Sequence, residues 1–293
     1  MTAKFRHIAI MCQNAPRVRA FYENLFNMRR PGSETNPAEA HEFAKAFGYP
    51  VLASKHVVKP FNSTVWGIDG NIGVAFLRRQ PGYPGGIDHF GFEVEDIEAV
   101  ADRLNAKYPK VGITKRPVSR TFAAYSTHDP EGNFFDLAQP GQGKRYQKNW
   151  ADNGWTQERY ISHFTIRAMD PAALANFYVD VYGLEEQSKA LEDPNFYVSD
   201  GTVSLVIVPW KIEDYRETEH RGPGLDHIGF KVENVEAFKK DVETMRTLDP
   251  EWLSPESPSI VPEYNVVLRM LATCRHGRHQ LPDPEGNFID VAE

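Results

Sequence analysis

The sequence is poor in cysteine and has no long hydrophobic run. Its 293 residues include only two cysteines, Cys12 and Cys274, which lie far apart in the chain. Two distant cysteines do not form the framework of a disulfide-stabilised fold. No apolar run approaches the roughly 18 residues of a membrane-spanning helix, and the N-terminus lacks the apolar core of a signal peptide. We therefore expect a cytoplasmic protein with no membrane partner.

Positive charge is also scarce. The chain has 33 lysines and arginines against 40 aspartates and glutamates, for a net charge of −7. A nucleic-acid-binding surface requires a basic patch, so no nucleic-acid partner is expected. The hydrophobic fraction of 41% and the charged fraction of 25% are those of a folded globular protein. The length allows one large domain or two of ordinary size.

What the sequence does have is an internal repeat, which favours two domains. The pattern Gly-x-Asp-His-x-Gly-Phe opens residues 86–100 and again residues 224–238, and Asp-Pro-Glu-Gly-Asn-Phe-x-Asp begins at Asp129 and at Asp283. Two earlier strands match as well. His7 precedes Phe21 by 14 residues, and His163 precedes Phe177 by 14.

Both halves predict the same order of elements. In the first half we expect strands at 5–12, 72–77, 88–94, 111–115, 121–128 and 133–138, with helices from an Asn14 cap through Phe26 and at 96–108. In the second we expect strands at 161–168, 195–199, 202–208, 226–232, 260–264, 266–273 and 287–292, with helices at 172–181 (Asp170 cap, Gly183 end) and 234–246. Residues 31–62 are irregular, with a short helix near 37–47.

These elements predict an α+β fold of four βαβββ units, in which helices cover the outer face of curled mixed sheets. Two domains are expected, at residues 1–139 and 158–293. The polar, turn-rich segment 140–157 is predicted to be the linker between them.

Each half also supplies two histidines and one carboxylate on strands, namely His7, His89 and Asp136, then His163, His227 and Asp290. Two imidazoles and a carboxylate on one face of an open site form a facial triad. That triad suits non-haem Fe(II) and leaves roughly three positions for substrate and oxygen. A single histidine at the start of an apolar strand is more often a hydrogen-bonded core residue. The metal hypothesis therefore depends on the joint recurrence of all three residues.

The histidine strands, the Phe-Tyr helix, the Asp-His-x-Gly-Phe strand and the Asp-Pro-Glu-Gly-Asn turn together resemble the vicinal oxygen chelate superfamily. Its members include glyoxalase I, extradiol ring-cleaving dioxygenases, fosfomycin resistance proteins, methylmalonyl-CoA epimerase and bleomycin-sequestering proteins. The resemblance covers about 4–139 and 158–293. It implies a paired βαβββ cup around one divalent metal, which the substrate chelates through adjacent oxygens. The implied ligands are His7 and His163 on first strands, His89 and His227 in second units, and Asp136 and Asp290 where the superfamily usually has Glu.

The resemblance also bears on the reaction. Glyoxalase-type sites usually add a Glu from the last strand of the first unit, but residues 72–77 and 203–208 contain no acidic residue. This favours an extradiol-type dioxygenase that uses Fe(II) and dioxygen to cleave a catechol- or hydroquinone-like ring. A glyoxalase-type lyase or isomerase and a non-catalytic, drug-sequestering protein are the alternatives. Mn(II), Zn(II) and Ni(II) are the alternative ions.

Two further expectations concern the surroundings of the triads. Counting back from four-residue turns pairs Tyr125 with Asp136 and His279 with Asp290, which would turn both side chains into the cup as catalytic candidates.

The four units could pair in sequence or in an exchanged arrangement. The exchanged arrangement would give the triads His7, His227, Asp290 and His163, His89, Asp136. Sequential pairing is preferred because neighbouring units usually pack together. A homo-oligomer remains open, since the superfamily also pairs units across dimers.

Overall fold

The computed structural model describes residues 3–29, 65–79, 85–116, 123–140, 156–211, 222–248 and 277–293. The predicted helix near 37–47, the strands near 260–264 and 266–273, most of the linker at 140–157, and Cys274 lie outside these residues. None of the described helices combines the length and the apolar character needed to cross a membrane.

The strands of the first half form one mixed sheet of seven, in the spatial order β2-β3-β1-β4-β7-β6-β5. These strands are β1 Lys4–Cys12, β2 Val65–Ile68, β3 Gly73–Arg78, β4 Gly86–Glu93, β5 Thr114–Lys115, β6 Tyr125–His128 and β7 Phe134–Ala138. The pair β4 and β7 is parallel, whereas β6 and β7 form an antiparallel hairpin.

The second half forms a second sheet of seven, ordered β13-β14-β12-β8-β11-β10-β9. Its strands are β8 Tyr160–Ala168, β9 Glu185–Glu186, β10 Phe196–Ser199, β11 Ser204–Pro209, β12 Gly224–Lys231, β13 His279–Pro282 and β14 Phe288–Ala292. Here β12 and β14 are parallel and β13 and β14 antiparallel, as in the first sheet. The predicted α+β fold with mixed sheets is confirmed, while β2, β9 and β13 are not among the predicted strands.

Four described helices complete the repeat: α1 Ala15–Phe26, α2 Ile97–Lys107, α3 Pro171–Tyr182 and α4 Val235–Leu248. The first begins where the Asn14 side chain accepts a hydrogen bond from the Arg17 amide, and α3 begins in the same way at Asp170. Such side chains satisfy amides that have no partner in the first helical turn. Gly183 ends α3 in the left-handed conformation at φ 66°, which glycine adopts without steric cost.

The chain packs into two compact units that differ from its sequence halves. One comprises Met1–Ile8, His89–Lys148 and Ser162–His227, and the other Ala9–Asp88, Asn149–Ile161 and Ile228–Glu293. The boundaries fall inside β1, β4, β8 and β12. The first unit thus combines the second and third βαβββ segments, and the second unit combines the first and fourth. Independent domains at 1–139 and 158–293 therefore stay a prediction.

Each unit has its own aromatic core. In the first, the rings of Phe92 and Tyr182 stack with centroids 4.7 Å apart, and Phe135 packs edge-on against Tyr182 at 5.5 Å. In the second, Phe26 stacks on Phe230 at 3.8 Å. All five rings are at most 1% exposed. Aromatic burial of this kind is a leading source of folding energy, so each unit depends on segments from both halves of the sequence.

The Asp129 turn, residues 129–133, ties the β6–β7 hairpin to α3 within the first unit. The hydroxyl of Tyr178 donates to Asp129 Oδ2 at 2.7 Å, and both atoms are buried. The Glu131 carboxylate accepts from the backbone amides of Met169 and Asp170, each at 2.8 Å. A carboxylate at a helix N-terminus is favourable because it satisfies free amides and faces the positive end of the helix dipole.

The Asp283 turn, residues 283–287, makes the same connection to α1 within the second unit. The Glu285 carboxylate accepts from the amides of Gln13 and Asn14, both at 2.6 Å. Tyr22 donates its hydroxyl to Asp283 Oδ2 at 3.4 Å. The Asp-Pro-Glu-Gly-Asn motif is therefore a docking element as well as a turn.

The Tyr178 hydroxyl offers a direct test of this docking. Tyr178→Phe removes a donor from the buried Asp129 carboxylate and should lower the free energy of unfolding by about 1–3 kcal/mol. Tyr182→Phe is the matched control, because among the described residues its buried hydroxyl has no hydrogen-bond partner. Denaturant unfolding should show little change for that control, and equal losses in the two variants would contradict the role of Tyr178.

The Asp283 carboxyl predicts a dependence of stability on pH. Burial raises its pKa from 3.8 to about 6, outweighing hydrogen bonds from Asn287 and Glu285 that lower it. The folded chain therefore holds this proton more tightly than the unfolded chain. The stabilising contribution is complete below pH 4 and declines by roughly 2–3 kcal/mol as the pH rises through 6.

Unfolding measured from pH 4 to 7 should show a decline in the wild type that is smaller by this amount in Asp283→Asn. The buried Asp69 carboxyl, whose pKa burial also raises to about 6, keeps its own part of the decline in both proteins. The exposed Asp102 provides the control, since Asp102→Asn should keep the wild-type slope. The same slope in Asp283→Asn and the wild type would disprove the assignment.

Candidate metal centre

The first candidate site lies on three adjacent strands of the first sheet. His7 on β1, His89 on β4 and Asp136 on β7 each offer a ligand atom, and these atoms lie within 4.8 Å of one another. His7 and Asp136 are buried, with 1% and 2% of their surface exposed. Because alternate residues of a strand share a face, neighbouring strands can aim all three side chains at one point.

Gly91 makes room for the first histidine. A Cβ at this position would lie 2.1 Å from Cε1 and 2.4 Å from Nδ1 of His7, distances that no side chain tolerates. Gly91 is also the register partner of Asp136. The glycine in the Asp-His-x-Gly pattern thus allows the imidazole of one strand to lie over the backbone of the next.

Two donors hold the Asp136 carboxylate. The Arg116 guanidinium contacts both carboxylate oxygens, and Ser126 donates its hydroxyl to Oδ1 at 2.7 Å. His89 Nε2 lies 3.6 Å from Oδ2. Burial lowers the pKa of His7 well below its ordinary value, and the nearby His89 and Arg116 lower it further. His7 is therefore neutral near pH 7, which is the form that binds metals.

The second triad is the more deeply buried of the two. His163 on β8, His227 on β12 and Asp290 on β14 also bring their ligand atoms within 4.8 Å of one another, and each residue is 0% exposed. The two imidazole rings are nearly perpendicular, with centroids 5.8 Å apart. Gln280 donates from Nε2 to Asp290 Oδ1 at 2.8 Å.

A buried carboxylate orients His227. Asp226 Oδ2 lies 2.7 Å from His227 Nδ1, and Arg167 Nε donates to the other oxygen of Asp226 at 2.8 Å. A carboxylate only accepts, so Nδ1 carries the imidazole proton and Nε2 keeps its lone pair. That lone pair faces the Thr165 hydroxyl at 3.1 Å. Metal-binding histidines are commonly fixed by a carboxylate in this way, so the donor set fits a divalent ion.

The family model of the "Glyoxalase/Bleomycin resistance protein/Dioxygenase superfamily" matches residues 4–137. This segment spans the first sheet and all three residues of its triad. Residues 4–137 belong to this superfamily. The resemblance predicted from the sequence motifs is thereby confirmed.

Solved structures of a glyoxalase and of several dioxygenases have a similar fold over nearly the whole chain. The Mn(II)-bound glyoxalase from Novosphingobium aromaticivorans aligns with a TM-score of 0.56 at 14% identity, covering 99% of this chain and 81% of its own. The 2,2',3-trihydroxybiphenyl 1,2-dioxygenase from Sphingomonas wittichii strain RW1 aligns at 0.58 and 12%, covering 99% and 90%. The 2,3-dioxygenase LapB from Pseudomonas sp. KL28 aligns at 0.56 and 14%, covering 98% and 91%. A search of curated protein sequences found no match.

The structure thus gathers each triad from one half of the sequence, in the sequential arrangement. The combinations expected from exchanged pairing are not the ones that meet at these two sites. Segments from the two halves of the sequence are instead combined in the compact units and in their aromatic cores. The role of the six residues as metal ligands belongs to the proposal below.

The predicted pairing of Tyr125 with Asp136 and of His279 with Asp290 is wrong by one residue. Tyr125 faces Leu137, and His279 faces Val291. The cause is turn length: Asp129 N donates to Asn133 O, and Asp283 N to Asn287 O, so each turn has five residues rather than four. A shift of one reverses the face of every side chain.

The corrected register places other side chains beside the carboxylates. Ser126 and Gln280 are the register partners of Asp136 and Asp290. Arg116 joins them because β5 pairs Thr114 with Ser126, and Arg116 lies two residues further on the same face. His279 instead has its ring 6.3 Å from that of Phe238 on α4. A five-residue count of the turn would have found Ser126 and Gln280 from the sequence, whereas Arg116 follows a two-residue strand with no pattern of its own.

The contact between Gly91 and His7 leads to a prediction. Gly91→Ala should displace His7 and lower the free energy of unfolding by about 1–3 kcal/mol, as overpacking does in other cores. The control is Gly112→Ala, because a Cβ at Gly112 meets no atom within 4 Å. Denaturant unfolding measures both, and a Gly91 variant as stable as the Gly112 variant would show that His7 does not need this space.

Proposed function

We propose that this chain is a metal-dependent oxygenase of the extradiol type, acting on a catechol- or hydroquinone-like aromatic with Fe(II) at the second triad. The observation that carries the proposal is the fully buried set His163, His227 and Asp290. Two imidazoles and one carboxylate are the donors typical of non-haem Fe(II) oxygenases, and some catalytic Zn(II) sites have the same set. Mn(II), Zn(II) and Ni(II) are retained as comparison ions.

Each residue of the second site has a separate task in this proposal. His163, His227 and Asp290 would bind the ion. When bound, Fe(II) supplies positions for two adjacent substrate oxygens and for dioxygen. Asp226, held by Arg167, would orient His227 with Nδ1 toward its own carboxylate and Nε2 toward the ion, and Gln280 would hold one oxygen of Asp290. Burial of all three ligands excludes bulk water, which strengthens every electrostatic interaction at the site.

The strand beside His163 supports oxygen chemistry over isomerisation. β11 runs parallel to β8, and its residue opposite His163 is Ser204. The rest of β11 is Leu205, Val206, Ile207, Val208 and Pro209. An isomerase of the glyoxalase type needs a carboxylate to move a proton at carbon, and this strand has none. A lyase or isomerase remains the second candidate, since the superfamily includes glyoxalases.

The location of the aromatic residues is a reason to prefer an enzyme over a drug-sequestering protein. The largest fully buried aromatic side chains include Tyr22, Tyr178, Phe90 and Phe135. These rings pack against each other in the two cores, as between Phe90 and Phe135 at 4.9 Å. Much of the 12% aromatic content is therefore used in folding and is not available to line a drug-binding cup.

The test is oxygen uptake by the full chain after anaerobic loading with Fe(II). A panel of catechols and hydroquinones should include a compound that consumes dioxygen only with loaded protein. Oxygen-independent conversion of a 2-oxoaldehyde thiol adduct would instead favour the lyase. Failure to bind Fe(II), Mn(II), Zn(II) or Ni(II) would disprove both enzymes.

Two histidine variants locate the site. His227→Ala removes a direct ligand and should weaken metal binding more than about 100-fold, because loss of an outer partner alone costs 10–100-fold. His279→Ala is the comparison on the opposite face of the same sheet and should retain the ion. Equal metal affinity in the two variants, measured by elemental analysis and calorimetry, would contradict the assignment.

A further inference from the structure

The two triads have the same ligand types but different electrostatic surroundings. At the first, the Arg116 guanidinium bridges both oxygens of Asp136, the residue that should bind an ion there. At the second, the buried pair of Asp226 and Arg167 lies behind His227, where the arginine contacts the supporting carboxylate. Arg116 thus contacts a candidate metal ligand directly, whereas Arg167 contacts Asp226, the carboxylate that orients a candidate ligand.

The position of Arg116 is built into the fold. Its amide donates to the carbonyl of Ala124 at 2.8 Å, which extends the pairing of β5 with β6 by one residue. Lys115 is exposed and pairs with Tyr125 on the other face. Strand alternation therefore directs Arg116 to Asp136 and Lys115 away from it. The carboxylate side chain is only 3% exposed and that of Arg116 is 18% exposed.

A guanidinium on both oxygens opposes a divalent ion in two ways. It occupies the lone pairs of Asp136, and its fixed positive charge repels a second cation a few ångströms away. Arginine stays protonated at all ordinary pH values, so a change of pH does not remove this competition. The pair His7 and His89 adds no negative charge to offset it.

We propose that Arg116 serves as a built-in cation at the first triad, so that the chain holds one divalent ion, at the second triad. This inference rests on the proposed function, because it concerns the same kind of metal site. Arg116 is on this view the residue that determines metal stoichiometry. Its removal should convert the first triad into a second metal site.

Mn(II) binding to the full chain tests the proposal, with free Mn(II) counted by electron paramagnetic resonance and bound Mn(II) by elemental analysis. The wild type should bind one ion per chain. His227→Ala should bind none at comparable concentration. His227→Ala combined with Arg116→Gln should recover one ion, with an affinity at least about tenfold higher than in His227→Ala alone.

Lys115→Gln in the His227→Ala background is the matched control. It removes the same charge one residue away and should recover no ion. Recovery with both variants, or with neither, would overturn the role of Arg116. If Arg116→Gln fails to fold, the wild type alone still tests the proposal. Two Mn(II) ions bound per wild-type chain with similar affinity would overturn it. Failure of the proposed function gives a separate result, in which neither the wild type nor any variant binds Mn(II).

Discussion

The structure depends on a buried aspartate at the start of each Asp-Pro-Glu-Gly-Asn turn. Asp129 accepts from the amide of Asn133 at 2.9 Å and from its side-chain amide at 2.7 Å, and Asp283 does the same with Asn287. These bonds close a turn of five residues. The turn length then sets the hairpin register, and the register decides that Asp136 and Asp290 face the histidines.

The same aspartates also organise the cores. Asp129 receives the Tyr178 hydroxyl and Asp283 that of Tyr22, so each hairpin is joined to a helix from the other half of the sequence. Burying a carboxylate is costly, and its hydrogen bonds make the position specific. A short motif thus serves both the candidate site on one face of the sheet and the helix packing on the other.

Much of this could be predicted from the sequence, for reasons that the structure makes clear. The repeat revealed the strands that carry His7, His89, His163 and His227, since apolar strands opening with histidine recur at matching points. The side chains that lie opposite Asp136 and Asp290 were predicted wrongly because Asn133 belongs to the turn. One extra residue in the turn moves every paired side chain to the other face of the sheet. Exchanged pairing was one of the two arrangements that the sequence allowed, but equivalent units present equivalent surfaces, so the sequence could not identify it as the arrangement of the cores. Arg116 escaped notice because β5 is too short to show alternation.

The central claim is that His163, His227 and Asp290 hold the ion that the activity requires. Anomalous diffraction at the iron edge from crystals of the Fe(II)-loaded full chain tests it most directly. The account predicts one strong anomalous peak per chain, located at the second triad and bonded to the two histidines and the aspartate. A peak at the first triad alone, or at residues outside both triads, would contradict it.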